Sequence, residues 1–172
     1  MAERLRFHHP ADHVEVFSTP QNYVSLRIQK DDGTHLIHSG QDPVREAERW
    51  VQTVEITSPY NLMVLGCGLF YHVHQLVKRN QSTLRCLIVI EQDLDAVYHL
   101  FAAIDLSYFL RTKSTFFLVN PTAAEVRSFM NRRLTSFTLD GLSIVEHPAS
   151  CRLHPDRYRE IRHWVEESLQ GG

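Results

Sequence analysis

The sequence lacks several features that would assign it quickly to a functional class. It has no excess of positive charge: its formal net charge is -2, which argues against a broad nucleic-acid-binding surface. It has no uninterrupted apolar run of about 20 residues, so no membrane span is expected. The segment MAERLRFHHPADHVEV contains no apolar signal-peptide core, and a cytoplasmic location is therefore the default expectation.

Cysteine is scarce, and the histidines follow no recognisable metal-binding motif. Cys67, Cys86 and Cys151 are odd in number and far apart, which argues against a disulfide framework or a zinc knuckle. The chain contains 11 histidines but no HExxH spacing. His72 and His74 are two residues apart and would diverge on a helix, so no metal site is expected. We interpret the histidines as surface or capping residues.

What is present is the composition of an ordinary globular domain. A length of 172 residues with 43% hydrophobic residues suffices for one sizeable core. The segments HVEVF, YVSLRIQ and THLIHS alternate apolar and polar residues, and KDDG provides a turn signal, which together predict an antiparallel meander. A helix should follow, with Asp42 as its N-cap and Pro43 in its first turn, and should end near Thr53.

The rest of the chain alternates between buried apolar runs and amphipathic helical patterns. The predicted strands are residues 61–65, 84–91, 114–119 and 141–147. Strands alternating with helices indicate crossover connections and a parallel sheet. The predicted fold class is α/β: a Rossmann-like, mostly parallel sheet flanked by helices, with an N-terminal antiparallel β meander. We assign 1–53 to the meander and its helix and 54–172 to the Rossmann-like core, packed as one globular unit.

The turn after the first core strand, LGCGLFYH, is the principal candidate for ligand binding. Gly66 would permit a tight turn, Gly68 would let a ligand approach bare backbone, and the amides of the next helix attract negative charge. Glu91 ends the next strand, 23 residues after Gly68 (91 − 68), where an acidic residue commonly binds a ribose hydroxyl. Tyr71 replaces the third glycine of the usual motif, so a purely structural turn is an alternative.

The bulk of Phe70 and Tyr71 disfavours a pyrophosphate at this turn, which leaves S-adenosylmethionine or a nucleotide-like molecule as the possible cofactor. Asn120 ends the third core strand and would lie near the base of such a ligand. The predicted cofactor-binding residues are Gly66, Cys67, Gly68, Tyr71, Glu91 and Asn120.

The fourth core strand ends in two residues with acid–base chemistry, Glu146 and His147. Adjacent residues on a strand point to opposite faces, so joint catalysis by this pair is not expected. No catalytic residue is therefore assigned, and whether the chain is an enzyme stays open.

Several of these segments together resemble a known family. HLIHSGQDPVREAERW is similar to the segment LHSxxxPxxEAxxW/F that precedes a GxGxGYH turn, and Gly66, Gly68, Tyr71 and His72 match that turn. The pattern resembles the N-terminal Rossmann-like domain of the motility-associated factor family. Those are bacterial proteins linked to flagellin glycosylation with nonulosonic acids, and they share a central region with 6-hydroxymethylpterin pyrophosphokinase-like (MptE-like) proteins. Phe70 stands where the family usually has glycine.

The resemblance covers about residues 35–169 and implies an accessory module, because the presumed catalytic region of such proteins follows this domain. It implies a downstream transferase domain or a partner protein, and a nucleotide-like small molecule as a possible ligand. Two alternatives stay open. One is a small S-adenosylmethionine-dependent methyltransferase, and the other is a protein–protein docking domain with a vestigial pocket.

Overall fold

A computed structural model describes residues 13–112 and 114–171, which form two β-sheets and their flanking helices. The antiparallel sheet contains β1 (Val14–Ser18), β2 (Val24–Lys30) and β3 (Gly33–Leu36). The parallel sheet contains β4 (Asn61–Leu65), β5 (Cys86–Glu91), β6 (Ser114–Val119) and β7 (Ser143–Glu146). The helices are α1 (Pro43–Val51), α2 (Tyr71–Arg79), α3 (Leu94–Ala103), α4 (Ser107–Thr112), α5 (Ala123–Asp140), α6 (Pro148–Leu153) and α7 (Pro155–Gln170).

The predicted fold class is confirmed. The second sheet is entirely parallel, in the order β6-β5-β4-β7, and is separate from the three-stranded antiparallel meander. The chain therefore runs outward from β4 to β6 and then returns to place β7 on the other side of β4. This reversal puts a topological switch point between the carboxyl ends of β4 and β7, where α/β folds usually bind ligands.

The central strands are apolar throughout because both of their faces are covered. Alternate residues of β4 enter different hydrophobic clusters: Leu62 and Val64 pack on one side of the sheet, and Met63 and Leu65 on the other. The meander contributes Leu26 to the first cluster. The meander is thus packed on the parallel sheet, and the loop after β3 lies over the switch point.

Side-chain capping fixes the start of two helices, and the cap at Asp42 is the predicted one. The Asp42 side chain accepts a 2.9 Å hydrogen bond from the Arg45 amide, and Thr122 and Glu125 form a reciprocal capping box. The two six-residue helices α4 and α6 were not predicted, because a helix of fewer than two turns shows no apolar stripe. None of the helices in the described ranges is long and apolar enough to cross a membrane.

Candidate functional site

The glycine turn after β4 has the unusual backbone that the sequence predicted. Gly66 and Gly68 have φ values of 80° and 51°, in the region that favours glycine. Phe70, which precedes α2, also has a positive φ of 77°. Its ring is 2% exposed and packs edge-on against Phe109, with 5.1 Å between the ring centroids. Phe70 therefore keeps a glycine-like backbone, and its aromatic ring fills the adjoining core.

Glu91 points at the glycine turn, as expected, but its carboxylate is fully occupied by protein donors. Cys67 N–H donates to one oxygen at 2.7 Å, and Asp93 N–H and the Tyr158 hydroxyl donate to the other at 3.1 Å and 2.7 Å. Glu91 is 1% exposed, and this burial raises the pKa of its carboxyl, with the three hydrogen bonds opposing the rise. The arrangement ties β5, the turn and α7 together.

The open faces of both glycines are covered by side chains of the same protein. A Cβ atom on Gly66 would clash with Ser150 Cβ, and one on Gly68 would clash with His38 Nε2. The Leu69 amide also donates to His38 Nε2, at 2.7 Å. The cavity bordered by Glu91 measures about 10 Å³, which is room for one water molecule. In this conformation there is no space for a nucleotide between Glu91 and the two glycines.

The remaining predicted binding residues turn away from this position. The Tyr71 hydroxyl donates to the Val24 carbonyl at 2.7 Å, which fastens the start of α2 to the meander. Asn120 N–H donates to the Glu91 carbonyl at 2.8 Å, while the exposed Asn120 side chain faces Arg157. The structure thus gathers the two glycines, Cys67 and Glu91, but not the side chains of Tyr71 and Asn120. Ligand binding by these six residues stays a prediction.

Glu146 and His147 diverge at the end of β7. Glu146 is exposed and forms an ion pair with Arg162 at 3.0 Å, whereas His147 is fully buried. The two side chains therefore do not form an acid–base pair.

A second group of polar side chains lies beside the turn: His38, His72 and His147, which are 1%, 3% and 0% exposed. One nitrogen of each ring lies within 4.8 Å of the others, and these three residues could hold a metal ion. Three buried ring nitrogens in this group have no hydrogen-bond partner: His38 Nδ1, His72 Nδ1 and His147 Nε2. The interpretation of the histidines as surface or capping residues is wrong for His38 and His72. His147 occupies the N-cap position of α6, but its buried side chain makes no capping hydrogen bond, so the interpretation is wrong for His147 as well.

Burial keeps the three imidazoles neutral. It lowers the pKa of His72 to about 4, and it holds the pKa values of His38 and His147 well below the ordinary value. Two oxygen atoms lie beside the rings: Ser150 Oγ is 2.6 Å from His147 Nδ1, and Glu46 Oε1 is 4.0 Å from His72 Nε2. Neutral imidazole is the form that binds metal ions.

The sequence carried only part of the signal for this cluster. His147 follows a strand at the sheet's switch point, and His72 follows the glycine turn, so two of the three could have been placed at one sheet end. His38 comes from the meander, and its arrival depends on how the two sheets pack. Sequence spacing therefore gave no metal motif.

Comparison with known proteins leaves the chain's family open. No family model and no curated protein matches it. The resemblance to the motility-associated factor family therefore rests on the motifs themselves.

Proposed function

We propose that this chain is an accessory Rossmann-like module of a glycosylation protein of the motility-associated-factor type. In this proposal the glycine turn holds the module together and carries out no reaction. One observation supports it above the others: the amides and the carboxylate that would bind a ligand are bound by the protein itself. Cys67 N–H is held by Glu91, and Leu69 N–H is held by His38.

The methyltransferase alternative requires an open crevice and a free carboxylate at this turn. Glu91 accepts three hydrogen bonds, and Ser150 lies against Gly66 where a ligand would approach. Releasing a buried donor from Glu91 leaves it unsatisfied, which costs about 1–3 kcal/mol per group. A ligand would have to replace these contacts before it gained any affinity.

A ligand-binding module is the second candidate, and Tyr158 is the residue at which the two candidates can be distinguished. The Tyr158 hydroxyl donates to Glu91 at 2.7 Å, which is the contact a ribose hydroxyl would make. Tyr158 is 1% exposed, so a ribose-bearing ligand could bind Glu91 only if this ring moved. Removing the hydroxyl should therefore favour such a ligand, if the turn binds one.

A thermal-shift panel on the wild-type chain and on Tyr158→Phe tests the proposal. The ligands are S-adenosylhomocysteine, CMP, GTP and NAD. We expect no shift with any of them in either protein. A ligand present at a hundredfold excess over its dissociation constant would add about 2.7 kcal/mol of stability, which is readily detected.

A thermal shift with S-adenosylhomocysteine would contradict the proposal that the glycine turn carries out no reaction. It would support the methyltransferase alternative. A shift with CMP or GTP would instead support an accessory module that binds a nucleotide. In either case the shift should disappear in Glu91→Gln, and circular dichroism should show that this variant is folded. The accessory role further predicts a transferase region in the same polypeptide or in a partner protein.

A further inference from the structure

We propose that His38, His72 and His147 form a binding site for a single divalent transition-metal ion such as Zn²⁺. Three neutral imidazoles around one point are a common ligand set for this class of ion. The three rings come from distant parts of the sequence: the loop after β3, the first turn of α2 and the N-cap of α6. The site does not depend on the accessory role proposed above.

The cluster lies where this fold places ligands. The backbone amide of His147 donates to the Leu65 carbonyl at 2.9 Å, so His147 sits at the carboxyl ends of β4 and β7. His72 is the second residue of the helix that follows β4. The switch point is the usual ligand position in open parallel sheets. Here the glycine turn on one side of it is filled, and three imidazole nitrogens on the other side have no hydrogen-bond partner among the described residues.

His147 has the hydrogen-bonding arrangement of a metal-bound histidine, and His72 comes near to it. A metal-bound histidine usually donates its second N–H to an oxygen, which fixes the ring orientation. His147 Nε2 is unpartnered while its Nδ1 lies 2.6 Å from Ser150 Oγ. His72 Nδ1 is unpartnered while its Nε2 faces Glu46 Oε1 at 4.0 Å. Each ring thus has one nitrogen available and an oxygen atom beside the other.

His38 is the ring that must adjust. Its Nε2 accepts the Leu69 amide proton, which places the ring proton on the unpartnered Nδ1 in the neutral form. Coordination therefore requires His38 to release the Leu69 amide and turn a lone pair toward the ion. The nitrogens must also approach one another, from within 4.8 Å to the separation of about 3.4 Å that tetrahedral Zn–N bonds impose.

A purely structural role explains the cluster less well. Buried polar atoms in native proteins are nearly always hydrogen-bonded, and each exception calls for an explanation. Here three such atoms lie together, and a single ion would give every ring a partner, although the Leu69 amide would then need another acceptor. Glu46, whose side chain is 42% exposed, places a carboxylate oxygen 4.0 Å from His72 Nε2, where it would attract a cation. The positive charge of Arg152 acts on both Glu46 and His147 and opposes a cation, so Arg152→Gln should tighten binding.

The chain contains its own reporter for this site. Trp50 packs edge-on against His72, with 4.8 Å between the ring centroids, and the second tryptophan, Trp164, packs in the hydrophobic cluster on the other face of the sheet. In a Trp164→Phe background, Co²⁺ added to chelator-treated protein should quench the fluorescence of Trp50. Zn²⁺ should reverse the quenching by competition. In the matched Trp50→Phe protein, the fluorescence of Trp164 should remain unchanged.

Substitutions at the ligands give the decisive comparison, with Co²⁺ absorption and competition against a chromophoric chelator as readouts. One equivalent of Co²⁺ should bind with visible absorption bands typical of nitrogen coordination. His72→Leu and His147→Leu should each abolish these bands, and His147→Gln provides a polar variant in case the leucine protein does not fold. The exposed His163→Ala is the control and should bind as the wild type does. Ser150→Ala should weaken binding about 10- to 100-fold.

The site is refuted if Co²⁺ added to the folded wild-type protein neither quenches tryptophan fluorescence nor produces visible absorption bands. It is also refuted if His72→Leu and His147→Gln bind the ion as the wild type does, because binding would then come from surface histidines. Neither result bears on the nucleotide and S-adenosylhomocysteine panel, so the metal site and the accessory role can fail separately.

Discussion

The glycine turn and the histidine cluster adjoin each other at one end of the sheet, but they differ in hydrogen bonding. Buried polar groups are paired at the turn, whereas some in the cluster have no partner. At the turn, Glu91 and the amide of Cys67 are paired with each other, and Glu91 has two further donors. In the cluster, three ring nitrogens have no partner. A satisfied polar network stabilises a fold, whereas unsatisfied groups lower stability and suggest a ligand. This criterion favours a structural role for the turn and makes the cluster the site to test.

The largest expected effect comes from filling the turn. Gly66→Ala should lower the free energy of unfolding by about 2–5 kcal/mol, because it combines an unfavourable φ with a clash against Ser150. Urea unfolding followed by circular dichroism measures the loss. Gly33→Ala is the control, since Gly33 also has a positive φ but no atom lies within 4 Å of its added Cβ. Equal losses in the two variants would show that Ser150 does not constrain the turn.

Acid should destabilise the protein through the cluster. The folded-state pKa of His72 is about 4 against an ordinary value of 6.5, so below pH 6.5 the unfolded chain binds the proton first. The free energy of unfolding is therefore highest above pH 6.5. It falls by about 3 kcal/mol through His72 alone as the pH drops toward 4. Urea unfolding at pH 7 and pH 4.5 tests this. The pH dependence should be weaker in His72→Leu, and equal slopes in the two proteins would exclude His72 as its source.

Breaking the polar network of the turn should have an intermediate effect. Glu91→Gln replaces one acceptor oxygen with an amide that cannot accept, so a donor such as Cys67 N–H or Tyr158 loses its partner. We expect a loss of about 2 kcal/mol in the free energy of unfolding. Tyr158→Phe, which removes one hydrogen bond and keeps the ring, should lose about 1 kcal/mol in the same measurement. An unchanged free energy of unfolding in Glu91→Gln would mean that the network contributes no stability. That result would support the ligand-binding alternative.

The smallest expected change in stability, that of His72→Leu, distinguishes the histidine cluster from the glycine turn most clearly. His72→Leu should leave the metal-free protein as stable as the wild type or more stable, by up to about 1 kcal/mol, because it removes a buried unpartnered nitrogen. His38→Leu should destabilise the same protein by about 1–3 kcal/mol, because the Leu69 amide loses its acceptor. Thermal unfolding in the presence of chelator compares the two variants. A large loss in His72→Leu would show that His72 has a structural role.

Local sequence patterns predicted much of the fold, and particular residues show why. The central strands β4 and β5 appeared as apolar runs because both of their faces are covered, and the helix start at Asp42 followed from capping chemistry. The motif also predicted a tight turn at Gly66, and both Gly66 and Gly68 have positive φ values. Phe70 was read as a departure from that motif, but the structure shows that its backbone retains the glycine conformation.

The sequence by itself determined the α/β layers, the meander and the tight turn. Hydrophobic periodicity, helix capping and the conformational freedom of glycine depend on only a few neighbouring residues. Only the tertiary structure decided what surrounds that turn. Ser150 and Tyr158 reach it from α6 and α7, and His38 reaches it from the loop after β3. No sequence spacing encodes these approaches, because they depend on how the meander and the last helices pack on the sheet. That packing closes the turn and brings three distant imidazoles together.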